Sequence, residues 1–69
     1  MRQVLKLKRK AACLTQRQIA SKIGITTRMY QYIESGQHNP SWPVALQLER
    51  LFNTPASELL KIHETGFSQ

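Results

Sequence analysis

The apolar positions of this chain recur at helical spacing almost from end to end. Leu5, Arg9 and Ala12 share one stripe at i, i+4 and i+7, with Lys6, Lys8 and Lys10 spread around the rest of the circumference. That pattern predicts a first helix over about Arg2 to Ala12. A second, about Gln16 to Ile23, turns Ile19, Ala20 and Ile23 inward, and a third, about Thr27 to Ser35, does the same with Tyr30 and Ile33. Val44, Ala45, Leu48, Leu51 and Phe52 repeat as i, i+1, i+4, i+7 and i+8, predicting a fourth helix that ends near Phe52. Ala56, Leu59 and Leu60 predict a fifth, running to about Ile62. No stretch alternates apolar and polar residues over a strand's length, so the fold class expected is all-α.

The residues between these segments supply start and stop signals. Thr15-x-x-Gln18 is a capping box, in which side chains satisfy amides that have no partner inside the helix. Gly24 then offers the positive φ that a helix end often needs, and Thr26 is a competent N-cap for the next helix, which Gly36 ends. Pro40 breaks the chain before Ser41, another N-cap, and Pro43 fits the first turn because the amides there lack intrahelical partners. Asn53 is a left-handed stop, and Thr54-Pro55 restarts the chain as N-cap plus first-turn proline. There is no repeat and no linker. One domain is expected over 1–62, with 63–69 as a tail, frayed or contributing to a dimer contact.

Size and charge narrow the classes. A chain of 69 residues buries only about 60% of its unfolded surface, so the core is small. No apolar run is long enough to span a membrane, and the basic N-terminus lacks the uninterrupted apolar stretch of a secretory signal. Cys13 has no partner for an internal disulfide, which fits a reducing cytoplasm, and it is expected to be shielded at a helix junction. The net charge of +6 matters less than its placement. Arg2, Lys6, Lys8, Arg9, Lys10, Arg17, Lys22 and Arg28 precede the first acid, while Glu34, Glu49, Glu58 and Glu64 all come later. Such asymmetry suits a polyanionic partner.

The two short helices of residues 15–36 are joined by a tight turn, so the second can be presented to the major groove of DNA. Small Ala20 sits where those helices must approach closely, Gly24 lies at the turn, and Ile25, Tyr30 and Ile33 supply apolar packing. These features resemble the Cro/repressor-like (XRE-type) helix-turn-helix proteins. The matching text is Leu14-Thr15-Gln16, Ile19-Ala20, Ile23-Gly24-Ile25-Thr26 and Tyr30 through Ile33-Glu34-x-Gly36. It continues with Asn39-Pro40-Ser41, the Leu46-to-Phe52 apolar helix and Ser57-Glu58-Leu59-Leu60. One register holds from about Leu5 to Leu60. The resemblance implies a compact five-helix lambda-repressor-like domain, with helices 2 and 3 forming the helix-turn-helix. Departures are few. Tyr30 stands where an aliphatic residue is common, so its hydroxyl needs a partner or a path to water. Cys13 replaces a frequent glycine, and Pro43 an often acidic residue.

The resemblance further implies that Arg9 and Glu34 pair between helices 1 and 3. An unpaired charge on the apolar stripe would be costly, and an acid near a helix C-terminus is unfavourable without a cation. By the same resemblance, Thr27, Arg28 and Tyr32 match the base-contacting positions. Arg28 is the strongest, since a guanidinium pairs with both O6 and N7 of guanine. Thr27 offers either a methyl group or a hydroxyl, and Tyr32 can stack, reach a base or bond a phosphate. Gln16 is the family's phosphate clamp, with Arg17 beside it and Thr15 capping the same helix end. Thr26, Gln31, His38, Asn39 and Ser41 complete the candidate backbone contacts. His38 is equally a plain exposed histidine. Neither it nor His63 has partners at metal-ligand spacing, and no metal or cofactor is expected.

One such unit reads few base pairs, so the expectation is a homodimeric transcriptional repressor on a palindromic operator, bacterial or phage-encoded, cytoplasmic and nucleoid-associated. Leu59, Ile62 and Phe67 are candidates for the dimer surface, each more safely read as core or as frayed end. A competing reading is an antitoxin-like module that grips a protein partner. Four scattered acids, no nucleophile–base constellation, no glycine-rich phosphate loop and no room for a deep cleft weigh against an enzyme.

Overall fold

The computed structural model describes residues 1–62, so the tail expected at 63–69, with His63 and Phe67, lies outside the described residues. Within them the chain forms α1 (Gln3–Ala11), α2 (Gln16–Ile23), α3 (Thr27–Ser35), α4 (Trp42–Phe52) and α5 (Ala56–Leu59). The α2 helix packs against α3 and α4, α1 against α3 and α5, and α4 against α5. Every helix contributes to one core: Leu5, Ile19, Ala20, Ile23, Tyr30, Ile33, Leu48 and Leu59. Each fully buried Leu or Ile there contributes about 1.5–3 kcal/mol of transfer free energy. Truncating Leu48, which has no exposed surface, would cost about 2–5 kcal/mol.

Local chemistry explains the boundaries. At the start of α2, Thr15 Oγ1 accepts from the Gln18 amide at 3.0 Å while Gln18 Oε1 accepts from the Thr15 amide at 2.9 Å, completing the capping box. Thr26 Oγ1 accepts from the Met29 amide at 3.0 Å and starts α3. Gly24 (φ 76°) and Gly36 (φ 94°) end these helices in the left-handed region that a Cβ disfavours. Asn53 ends α4 in the same region, at φ 50°.

Several expectations need correction. Ala12 is exposed, because α1 stops at Ala11 and the chain turns away through Cys13. Cys13 is exposed rather than shielded and adopts φ 59°, the left-handed conformation that explains why glycine suits this position. Leu51 is 38% exposed, on the rim of the apolar face of α4. Ser41 occupies the cap position of α4, yet its hydroxyl caps nothing, since Pro43 removes one of the amides it would serve.

The fifth helix is the largest difference. It is a single turn ending at Leu59, not a helix to Ile62. Pro55, not Thr54, holds its cap position; the Thr54 hydroxyl donates to the Phe52 carbonyl, and the Ala56 amide donates to Glu49 Oε1 of α4. Beyond the turn, the Leu60 carbonyl accepts from the side chain of Arg2 instead of continuing the helix. Of the large apolar residues exposed among the described residues, Leu7 (63%) on α1 and Trp42 (70%) at the start of α4 stand most open to solvent.

Candidate nucleic-acid interface

The orientation of α3 is tied to one buried carboxylate. Glu34, 3% exposed, sits in the last turn of α3, where no basic residue of its own helix faces the carbonyl end. Arg9 reaches it from α1, with Nε donating to Oε2 at 2.8 Å and Nη2 to Oε1 at 3.4 Å. The third arm, Nη1, donates to the Leu14 carbonyl at 2.9 Å and so fixes the α1–α2 junction as well. The Tyr30 hydroxyl donates to Oε2 at 2.8 Å from one turn earlier on α3, which is the partner this buried phenol requires. From the first position of α2, Gln16 Nε2 donates to Oε1 at 2.9 Å. Three helices thus converge on two oxygen atoms.

The electrostatics follow from that convergence. Burial alone pushes the Glu34 carboxyl upward, but hydrogen bonds from Arg9, Tyr30 and Gln16, with the Arg9 charge, outweigh it and hold the group below the usual carboxylate range. Its hydrogen bond to Glu34 holds Arg9 above the ordinary guanidinium value. Burial first, then the bond to Glu34, pushes the Tyr30 phenol far up, so it stays a donor.

From this anchor the candidate contact residues spread outward. Gln16 is half-buried and Thr15 and Arg17 are exposed. The amides of Gln16 and Arg17 precede the first intrahelical bond of α2, from Ile19 to Thr15, and are available to an anion. On α3, Thr26, Arg28 and Gln31 are exposed, while Thr27 and Tyr32 are half-buried. Gln31 Nε2 donates to Gln16 Oε1 at 3.2 Å, joining the outer side of α3 to the start of α2. The Tyr32 ring meets the His38 ring edge to face, with centroids 5.0 Å apart. His38, Asn39 and Ser41 are all exposed in the loop before α4.

One residue with a large structural role escaped the sequence reading. Arg2, counted there among the charges facing a partner, is buried at 2% exposure and hydrogen-bonded within the fold. Nothing in the sequence marks it, because most of its acceptors are backbone carbonyls far along the chain. Among the described residues no cluster of His, Cys, Asp and Glu is arranged to hold a metal ion, and no helix is long and apolar enough to cross a membrane.

A short capped helix buttressed from behind, with a second held across it, defines a helix-turn-helix domain. The helix-turn-helix family model matches residues 5–59, and the chain belongs to this XRE-type family. Two relatives from Archaeoglobus fulgidus, both described as uncharacterized HTH-type transcriptional regulators, are similar to it. One is 33% identical over 46 residues, covering 67% of this chain and 66% of the relative, just under two thirds of that protein's length. The other is 28% identical over 51 residues, covering 74% of this chain and 72% of the relative. No solved structure matches.

Proposed function

We propose that the protein is a cytoplasmic, sequence-specific transcriptional regulator, acting as a repressor that binds a palindromic operator as a homodimer. In this reading α3 enters the major groove of double-stranded DNA. Arg28, with Thr27 and Tyr32, meets base edges, Arg28 bidentate to a guanine. Thr15, Gln16, Arg17, Thr26, Gln31, His38, Asn39 and Ser41 meet the sugar–phosphate backbone on either side.

The observation that carries the reading is the coupling of the two helices at their solvent side. Gln16 at the start of α2 bonds both Gln31 on the outer side of α3 and the carboxylate that Arg9 holds. A phosphate gripped at the start of α2 thereby sets the depth and angle of α3. Charge supports it too: Arg2 is buried and Arg9 is paired with Glu34, but Lys6, Lys8, Lys10, Arg17, Lys22 and Arg28 remain in the first 28 residues with no acid among them.

Selection of bound sequences from random duplex DNA is the deciding experiment. Enrichment of an inverted repeat with half-sites about one helical turn apart supports the reading. A single half-site contradicts the dimer. Absence of enrichment, with salt-insensitive binding, favours the protein-gripping alternative.

A further inference from the structure

The guanidinium of Arg2 lies in the seam between the end of α3, the loop after it and the end of α5. Nε donates to the Leu60 carbonyl at 2.9 Å, Nη1 to the carbonyls of Ile33 and His38, and Nη2 to Asn39 Oδ1 at 2.6 Å. The backbone amide of Arg2 donates to the Glu34 carbonyl at 3.0 Å. All of these acceptors are neutral. Burial lowers the affinity of the guanidinium for its proton, yet an arginine keeps its charge in such a setting. That charge is offset by the carbonyl end of α3, whose last turn holds no base of its own.

A guanidinium has donors and no acceptor. Facing it, the Asn39 amide has to present its oxygen, because the opposite orientation would set N–H against N–H. The two N–H donors on Nδ2 therefore turn away from Arg2, on a side chain that is exposed. We propose that Arg2 is a positioning residue: by fixing Asn39 Oδ1 it aims the Nδ2 donors of the α3–α4 loop at a DNA phosphate. The inference rests on the DNA reading above and adds what sets the polarity of this loop.

Asn39→Asp separates orientation from bulk structure. It keeps an acceptor for Arg2 Nη2 and replaces the outward donors with a carboxylate oxygen. Melting followed by circular dichroism is expected at or above the wild-type temperature. The affinity for a mixed-sequence duplex at low salt, read by anisotropy of labelled DNA, is expected to fall about tenfold or more. A side chain with a merely structural role would lower both together.

The link to Arg2 is read from a second, conservative variant. Arg2→Lys is expected to weaken duplex binding in the wild-type background. On top of Asn39→Leu it should change binding little, because the donor it orients is already gone. Three results overturn the inference: Asn39→Asp binding like wild type, Asn39→Asp melting clearly lower, or Arg2→Lys losing equal affinity in both backgrounds. A wild-type chain that binds no duplex overturns the DNA reading itself. A wild-type chain that binds, with any of those three results, overturns the inference alone.

Discussion

Nε2 of Gln16 donates to Oε1 of Glu34 at 2.9 Å, so the first residue of α2 is anchored to the carboxylate on which α1 and α3 converge. Gln16→Ala is therefore expected to act twice. Losing a hydrogen bond to a charged group costs about 1.5–3 kcal/mol of stability, and duplex binding weakens evenly across sequences. Melting and binding to a set of unrelated duplexes measure the two effects separately.

Arg28→Ala has the opposite profile. The side chain is exposed, so stability should hardly change. Preference at one base position should relax by about 1–3 kcal/mol, read by binding to operator variants changed one base pair at a time. If specificity and affinity both survive, the placement of α3 in the groove is wrong.

Arg9→Met leaves a buried carboxylate without its cation. Breaking a buried pair by removing one partner costs about 3–5 kcal/mol, a large share of the stability of so small a domain. Chemical denaturation should show the midpoint falling accordingly, and duplex binding should weaken as α3 loses its support. Unchanged stability and binding would contradict the role given to the pair.

Glu34 also sets an acid limit. Its folded pKa lies below the ordinary 4.5, so on acidification the unfolded chain takes up the proton first. The stability it contributes is fully present above about pH 4.5 and is lost as the pH falls through the lower, folded value. Melting temperatures across this range should drop in the wild type. In Glu34→Gln they should start lower near neutrality and fall less steeply.

Cys13→Gly should stabilise. A non-glycine residue at φ 59° carries a left-handed penalty of about 1–2 kcal/mol, partly offset by the extra freedom glycine gives the unfolded chain. A net gain of about 1 kcal/mol would raise the midpoint by roughly 4–8 °C in a domain of this size.

Much of this architecture was legible because it depends on local chemistry. Thr15 with Gln18, Gly24, Thr26, Gly36 and Asn53 act within a few residues of themselves, and the inward stripes of α2 and α3 follow from spacing alone. What escaped depends on distance along the chain. Arg2 and Leu60 are 58 residues apart, and no periodicity distinguishes a base destined for burial from one that keeps a surface wet. The early end of α5 is the other side of the same contact. Cys13 misled for a different reason: small apolar residues are usually inside, but here a backbone angle decides the position. On the candidate surface, the sequence suggested which side chains face outward but not that Gln16 and Gln31 bond one another.

Trp42, the single tryptophan of the chain, stands 70% exposed at the head of α4. Its indole already meets water in the native protein, so unfolding alters its surroundings little and its emission is a poor gauge of stability. The same position makes it a local optical reporter. Anything that settles over the loop at 37–41 strips water from that ring and shifts or quenches its light, while rearrangements within the core leave that light unchanged. The molecule carries an intrinsic probe at the edge of its proposed contact surface, and occupancy there can be followed without attaching a dye.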